Sequence, residues 1–131
     1  MNVILSIKPK YVDKIFKGEK TFEYRKNIFK RNDIEKVIIY ASSPVMKIVG
    51  EFKIKDIYCA NPDEIWENTK LESGIDEEFF RQYFKGKEKA FAIKINNLKQ
   101  YKDEYDLFEY FGIKAPQSFA YVNTGITNAC N

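Results

Sequence analysis

At 131 residues, with a net charge of +3 from 22 basic and 19 acidic side chains, the chain has the length of one domain. Its bulk field is too weak to attract nucleic acid by charge alone, so any such contact must come from a local patch. A hydrophobic content of 44%, with 16% aromatic residues, supplies a core and excludes intrinsic disorder. The absence of histidine removes imidazole acid–base catalysis, histidine metal ligands and Cys–His dyads. Two isolated cysteines, Cys59 and Cys130, frame no disulfide scaffold and no zinc site, so neither a metal nor a cofactor is expected.

Residues 2–8, NVILSIK, form an expected buried strand, and Pro9 then suits the first turn of a helix. Tyr11, Val12, Ile15 and Phe16 make its apolar stripe, and Gly18 stops it. TFEYR alternates, with Phe22 and Tyr24 on one face and Thr21, Glu23 and Arg25 on the other. NIFKRNDIE is a loop, KVIIYAS a β-branched strand, and Ser43–Pro44 breaks it. In MKIVGEFKIKDIY, Ile48, Phe52 and Ile54 share one face, and Lys47, Glu51, Lys53 and Lys55 the other. Gly50 falls on the apolar face, where a bulge or a close backbone approach is expected.

Asn61, Pro62, Asp63 and Glu64 are helix-start chemistry. A second short helix over about 76–85 carries Phe79, Phe80, Tyr83 and Phe84 as a stripe, with Gly86 as its stop. AFAIKI is a strand, DLFEYFG a short helix and APQSFAYV an extended return. Residues 1–122 make one domain, and 123–131 are expected to be a flexible tail. Short strands with inserted helices give an α+β, barrel-like domain. No apolar run approaches the ~20 residues that span a bilayer. The N-terminal apolar run has no basic flank, so the chain is expected to be cytoplasmic and without a membrane partner.

GEKTFEYR, residues 18–25, places Lys20, Glu23 and Arg25 within six residues. An exposed Glu–Arg pair at i, i+2 on a strand would contribute about 0–1 kcal/mol and need no function. Three features point beyond that. Lys20 follows a helix stop, where a chain reversal can aim it at the same face; Lys8 ends the first strand; and Ser42 and Ser43 end the third. Polar groups at strand ends can converge on one mouth of a barrel.

These residues resemble the ASCH family, a branch of the PUA-like β-barrels. Gly18, Lys20, Glu23 and Arg25 fit its G-x-K-x-x-E-x-R signature, supported by ILSIKP, IIYASSP, IVGEF and APQSFAYV over about residues 3–122. The resemblance implies a PUA-like small β-barrel with peripheral short helices and a cleft lined by the signature. It implies RNA, or a nucleotide- or nucleoside-like molecule, as partner in a regulatory or RNA-metabolic setting. The implied ligand-binding residues are Lys8, Lys20, Glu23, Arg25, Ser42, Ser43, Gln117 and Ser118. Tyr11 or Tyr40 would stack a base if it faced the cleft.

Two alternatives stand beside binding. One is an enzyme: a ribonuclease with Lys20 and Glu23 as its acid–base pair, or an acetylcytidine amidohydrolase. In the amidohydrolase branch the signature glutamate is a nucleophilic threonine; here that position is Glu23, and Thr21 is only its neighbour. The other alternative is a sensor of a small anionic ligand.

Overall fold

The computed structural model describes residues 1–127. Six strands, β1 (Asn2–Ile7), β2 (Phe22–Arg25), β3 (Lys36–Ala41), β4 (Lys47–Ala60), β5 (Ala90–Tyr105) and β6 (Phe119–Val122), form one curled sheet shaped as a half-barrel. Their order is β2-β5-β4-β3-β1-β6. Only β1 and β3 pair in parallel; the other neighbours are antiparallel. Helices α1 (Pro9–Phe16), α2 (Pro62–Thr69), α3 (Glu77–Tyr83) and α4 (Leu107–Phe111) lie around it. The α+β, barrel-like reading of the sequence thus holds. Among the described residues no helix is long and apolar enough to cross a membrane.

The central parallel pair is covered on both faces, which is why its strands are nearly continuous apolar runs. Val3, Leu5 and Ile7 join Val37 and Ile39 against Val12 and Ile15 of α1. Ile4 and Ile38 point the other way, to Tyr101, Leu107 and Ile126. A third cluster packs Phe22 and Tyr24 against Ile65, Trp66, Phe80 and Phe84 of α2 and α3. Side chains of this size contribute about 1.5–3 kcal/mol each when fully buried.

Asn61 caps α2 by accepting from the Glu64 amide at 2.9 Å, and Asp76 caps α3 through the Phe79 amide at 2.8 Å. Gly18, at φ 80°, ends α1; beyond it the amides of Glu19 and Lys20 both donate to the Lys14 carbonyl. That double closure reverses the chain and turns Lys20 back toward the sheet.

Two expectations fail in the long hairpin β4–β5. Its ladder slips at three places, between Ile48 and Gly50, Glu51 and Lys53, and Ile54 and Asp56. Each extra residue inverts the alternation. Ile48 therefore joins one cluster and Phe52 another, rather than sharing a face. Glu51 is 2% exposed rather than solvated. The close approach expected at Gly50 is present: a Cβ there would stand 2.6 Å from the Lys99 carbonyl oxygen. Strand β5 also runs well past the expected AFAIKI, crossing Asn97 at φ 49°.

Within the segment expected to be a flexible tail, Ile126 is 3% exposed and the Thr124 carbonyl accepts from the Asn2 side chain at 3.0 Å. The remainder of that segment, 128–131 with Cys130, lies outside the described residues.

Candidate functional site

The turn after α1 delivers Lys20 to the start of β2, and the strand then carries Glu23 and Arg25 inward. All three are nearly enclosed, at 2%, 6% and 8% exposure. The solvated-face reading of this strand is thereby excluded. They line a cavity of about 650 Å³, a size typical of small-molecule sites. Lys8, Ser42, Ser43, Gln117 and Ser118 line the same cavity, so the structure brings together every site residue expected from the sequence. Tyr11 and Tyr40 line it as well. Thr21 does not: its hydroxyl accepts from Lys94 at 3.2 Å, outside the cavity. Thr21 therefore takes no part in the cavity that Glu23 lines, although its carbonyl still pairs with β5 by accepting from the Ile95 amide at 2.9 Å.

Arg25 acts as a clasp within the protein. Its Nη1 donates to Glu23 Oε2 at 3.1 Å and to the Ser6 carbonyl at 3.3 Å. Its Nη2 donates to the Ser118 carbonyl at 2.7 Å and reaches Ser118 Oγ at 3.5 Å. The guanidinium thus ties β2 to β1 and to the segment leading into β6. Both terminal nitrogens are engaged, so the fork expected to grip a ligand already grips backbone carbonyls and Glu23.

Lys20 Nζ donates to the Ser73 carbonyl at 2.9 Å, lies 3.9 Å from Glu23 Oε1, and sits 4.6 Å from the Tyr24 ring centroid. Burial lowers its pKa from 10.5 to about 8, although Glu23 pulls the other way. The ammonium therefore persists at neutral pH but gives up its proton more readily than a solvated lysine's. Burial likewise pushes the Tyr24 hydroxyl up to about 12, against its 2.7 Å hydrogen bond with Thr69.

The loop after α2 presses directly on this lysine. Gly74 has φ 67°, and a Cβ on it would stand 2.4 Å from Lys20 Cβ. Glycine is required there twice over, for conformation and for space.

One wall of the cavity was not legible in the sequence. Phe79 and Tyr83 of α3 belong to a stripe expected to be core, yet both line the cavity. Their rings stack at 6.2 Å and 13°, and Tyr11 approaches Phe79 at 5.4 Å. Lys8 stands 5.6 Å over Phe79, and Lys26 stands 4.6 Å over Tyr83. The signal was the stripe's width: four aromatics within six residues exceed what one buried helix face needs, and only Phe80 and Phe84 are enclosed.

Among the described residues no group of three or more Cys, Asp or Glu is placed to hold a metal. The cavity therefore combines two ammonium groups at its aromatic wall with a buried Lys–Glu–Arg triad at its floor. Such a set suits a flat, polar ligand that stacks, hydrogen-bonds and carries negative charge.

Comparison with known proteins agrees with this architecture. The crystal structure of the ASCH protein from Zymomonas mobilis superposes with a TM-score of 0.85 at 25% identity, covering 93% of this chain and 87% of that one. The ASCH domain-containing ribonuclease of Z. mobilis is 29% identical over 94 residues, 72% of this chain and 64% of the relative. The large ribosomal subunit protein uL22 of Ureaplasma parvum is 32% identical over 91 residues. That match covers 70% of this chain, which spans only 29% of the relative's length. The sequence model of the ASCH domain matches residues 5–99, most of the chain. With that match over most of the chain and the curled sheet superposing on a solved ASCH structure, the chain belongs to the ASCH domain family.

Proposed function

We propose that this chain binds RNA, or a nucleotide-like piece of it, in the cavity floored by Lys20, Glu23 and Arg25. The observation that carries the reading is the joining of that buried charged triad to an aromatic wall flanked by Lys8 and Lys26. Buried charges are costly unless something recovers the cost, and a ligand-facing triad is one such use. The aromatic wall offers π-faces for bases, and exposed lysines offer point charges for phosphate. Ser42, Ser43, Gln117 and Ser118, which line the same cavity, would add hydroxyl and amide partners.

The test is fluorescence anisotropy of a labelled short single-stranded RNA over a range of salt. Log affinity should fall against log salt with a slope of about −1 to −3, as expected for a few phosphate contacts. A slope near zero, with equal affinity for a mononucleotide, would instead make the site a sensor of a small ligand.

A second reading, RNA cleavage, is favoured by the lowered pKa of Lys20 beside Glu23 and by the name ribonuclease borne by a relative. In that reading Lys20 exchanges the proton and Glu23 sets its charge. Cleavage that is lost in Lys20→Ala but survives in the exposed control Lys87→Ala would establish it. Acetylcytidine hydrolysis is not expected, because Glu23 stands at the nucleophile's position and Thr21 faces Lys94.

A further inference from the structure

We infer that the floor of the cavity reads the edge of a neutral nucleobase and leaves phosphate at the mouth, a conclusion that rests on the RNA reading above. The two functional ends of the cavity differ in what they have left to offer. Arg25, the residue best suited to a phosphate, has both terminal nitrogens engaged by Glu23, Ser6 and Ser118.

Glu23 is engaged on one side only. Its Oε2 accepts from Arg25, while the charged partner of Oε1 is Lys20 Nζ, at 3.9 Å and beyond hydrogen-bond reach. No side-chain oxygen or nitrogen among the described residues is fully enclosed without a partner, so this lone acceptor is not sealed from the cavity.

The floor therefore shows a carboxylate acceptor beside an ammonium donor. A phosphate placed there would meet Lys20 only by facing the Glu23 charge as well, in a poorly solvated space where repulsion is strong. A base edge with an N–H next to an acceptor has the complementary order. Its N–H donates to Glu23 Oε1, and its carbonyl oxygen or ring nitrogen accepts from Lys20 Nζ. The flat ring then lies along the Tyr11–Phe79–Tyr83 wall. Lys8 and Lys26, both exposed, stand over that same wall, which suits an outward-pointing phosphate. The ligand class is a single unpaired nucleotide held base-first.

Calorimetry on the full chain tests this with uridine, 3-methyluridine, cytidine, N4,N4-dimethylcytidine, ribose 5-phosphate and inorganic phosphate. At least one of uridine and cytidine should bind, and its methylated counterpart, stripped of the N–H, should bind about tenfold more weakly or worse. Ribose 5-phosphate and inorganic phosphate should not compete. Uridine 5′-monophosphate should gain affinity over uridine, and that gain should shrink with salt while uridine's own affinity stays flat. Glu23→Gln should weaken the nucleoside about tenfold; should that variant not fold, the methylated nucleosides make the same test on the unaltered chain. Competition by inorganic phosphate as effective as by nucleoside, or equal binding of methylated and unmethylated forms, overturns the inference. Tight RNA binding without any nucleoside binding overturns it too, while leaving the RNA reading standing. Binding of neither sinks both.

Discussion

Glu23 on β2 and Glu51 on β4 are carboxylates buried in one sheet, with β5 between them, at 6% and 2% exposure. Glu51 is closed on both sides: Oε1 accepts from the Tyr101 hydroxyl at 2.8 Å, and Oε2 meets Lys36 at 3.3 Å. Glu23 is closed on one side and lines a cavity on the other. Burial alone does not mark a functional acid. The mark is an acceptor capacity that the protein itself leaves unfilled, in a place a ligand can reach.

The strongest way to break this contrast is to remove the clasp. Arg25→Ala leaves Glu23 without its hydrogen-bonded partner and cuts the ties to Ser6 and Ser118. Breaking a buried pair costs about 3–5 kcal/mol, so urea unfolding should shift by that amount, and ligand binding should be lost with it. A loss under 1 kcal/mol would show that the clasp is not structural.

Lys20 sharpens the comparison through pH. Its folded pKa, about 8, lies below its unfolded value of 10.5. Between those values the unfolded chain binds more protons, so stability rises with pH across this window. The cost of burying the ammonium is complete below pH 8 and is relieved by pH 10.5. The difference in unfolding free energy between the wild type and Lys20→Met should therefore change by up to about 3 kcal/mol over that range. A flat difference would place the lysine in a far more polar setting. The rise of Tyr24 to about 12 gives the opposite slope above pH 10, and subtraction removes it because both chains carry it.

Gly74→Ala should cost about 2 kcal/mol, from the positive φ and the contact with Lys20. It should also move the loop and raise the lysine's pKa toward its ordinary value, readable by NMR titration. On the closed side, Tyr101→Phe should cost about 1.5 kcal/mol, the value of a hydrogen bond to a charged group. It should leave RNA affinity unchanged, whereas a change in affinity would couple the two acids.

Much of this was legible from residue pattern. The β-branched runs located β1 and β3, Asn61 and the acidic first turn located α2, and Gly18 located the reversal that aims Lys20. The eight expected site residues share one cavity because strand ends and turns carry their own position signals. Glu51 was misplaced because bulges in β4–β5 invert the face count; Gly50 signals the slip beside Ile48, but the slips at Glu51/Lys53 and Ile54/Asp56 carry no glycine to announce them. The expected strand AFAIKI stops short of NNLKQYKDEY because the polar residues there lie on a hairpin arm, where strand formation rests on pairing with β4. The wall formed by Phe79 and Tyr83 left only the excess width of the aromatic stripe as a trace, because each ring by itself looks the same against a core and against a cavity.

The bond from Arg25 to the Ser118 carbonyl closes a loop of 93 residues. Loop-closure entropy makes so distant a contact late to form. Strand β2 leaves the ribosome well before β6, but its clasp can close only once the segment leading into β6 arrives. Ligand affinity measured during refolding should therefore appear with the final kinetic phase, and a ligand present from the start should slow unfolding more than it speeds folding. The clasp makes the ability to bind a report on whether the whole chain has come together.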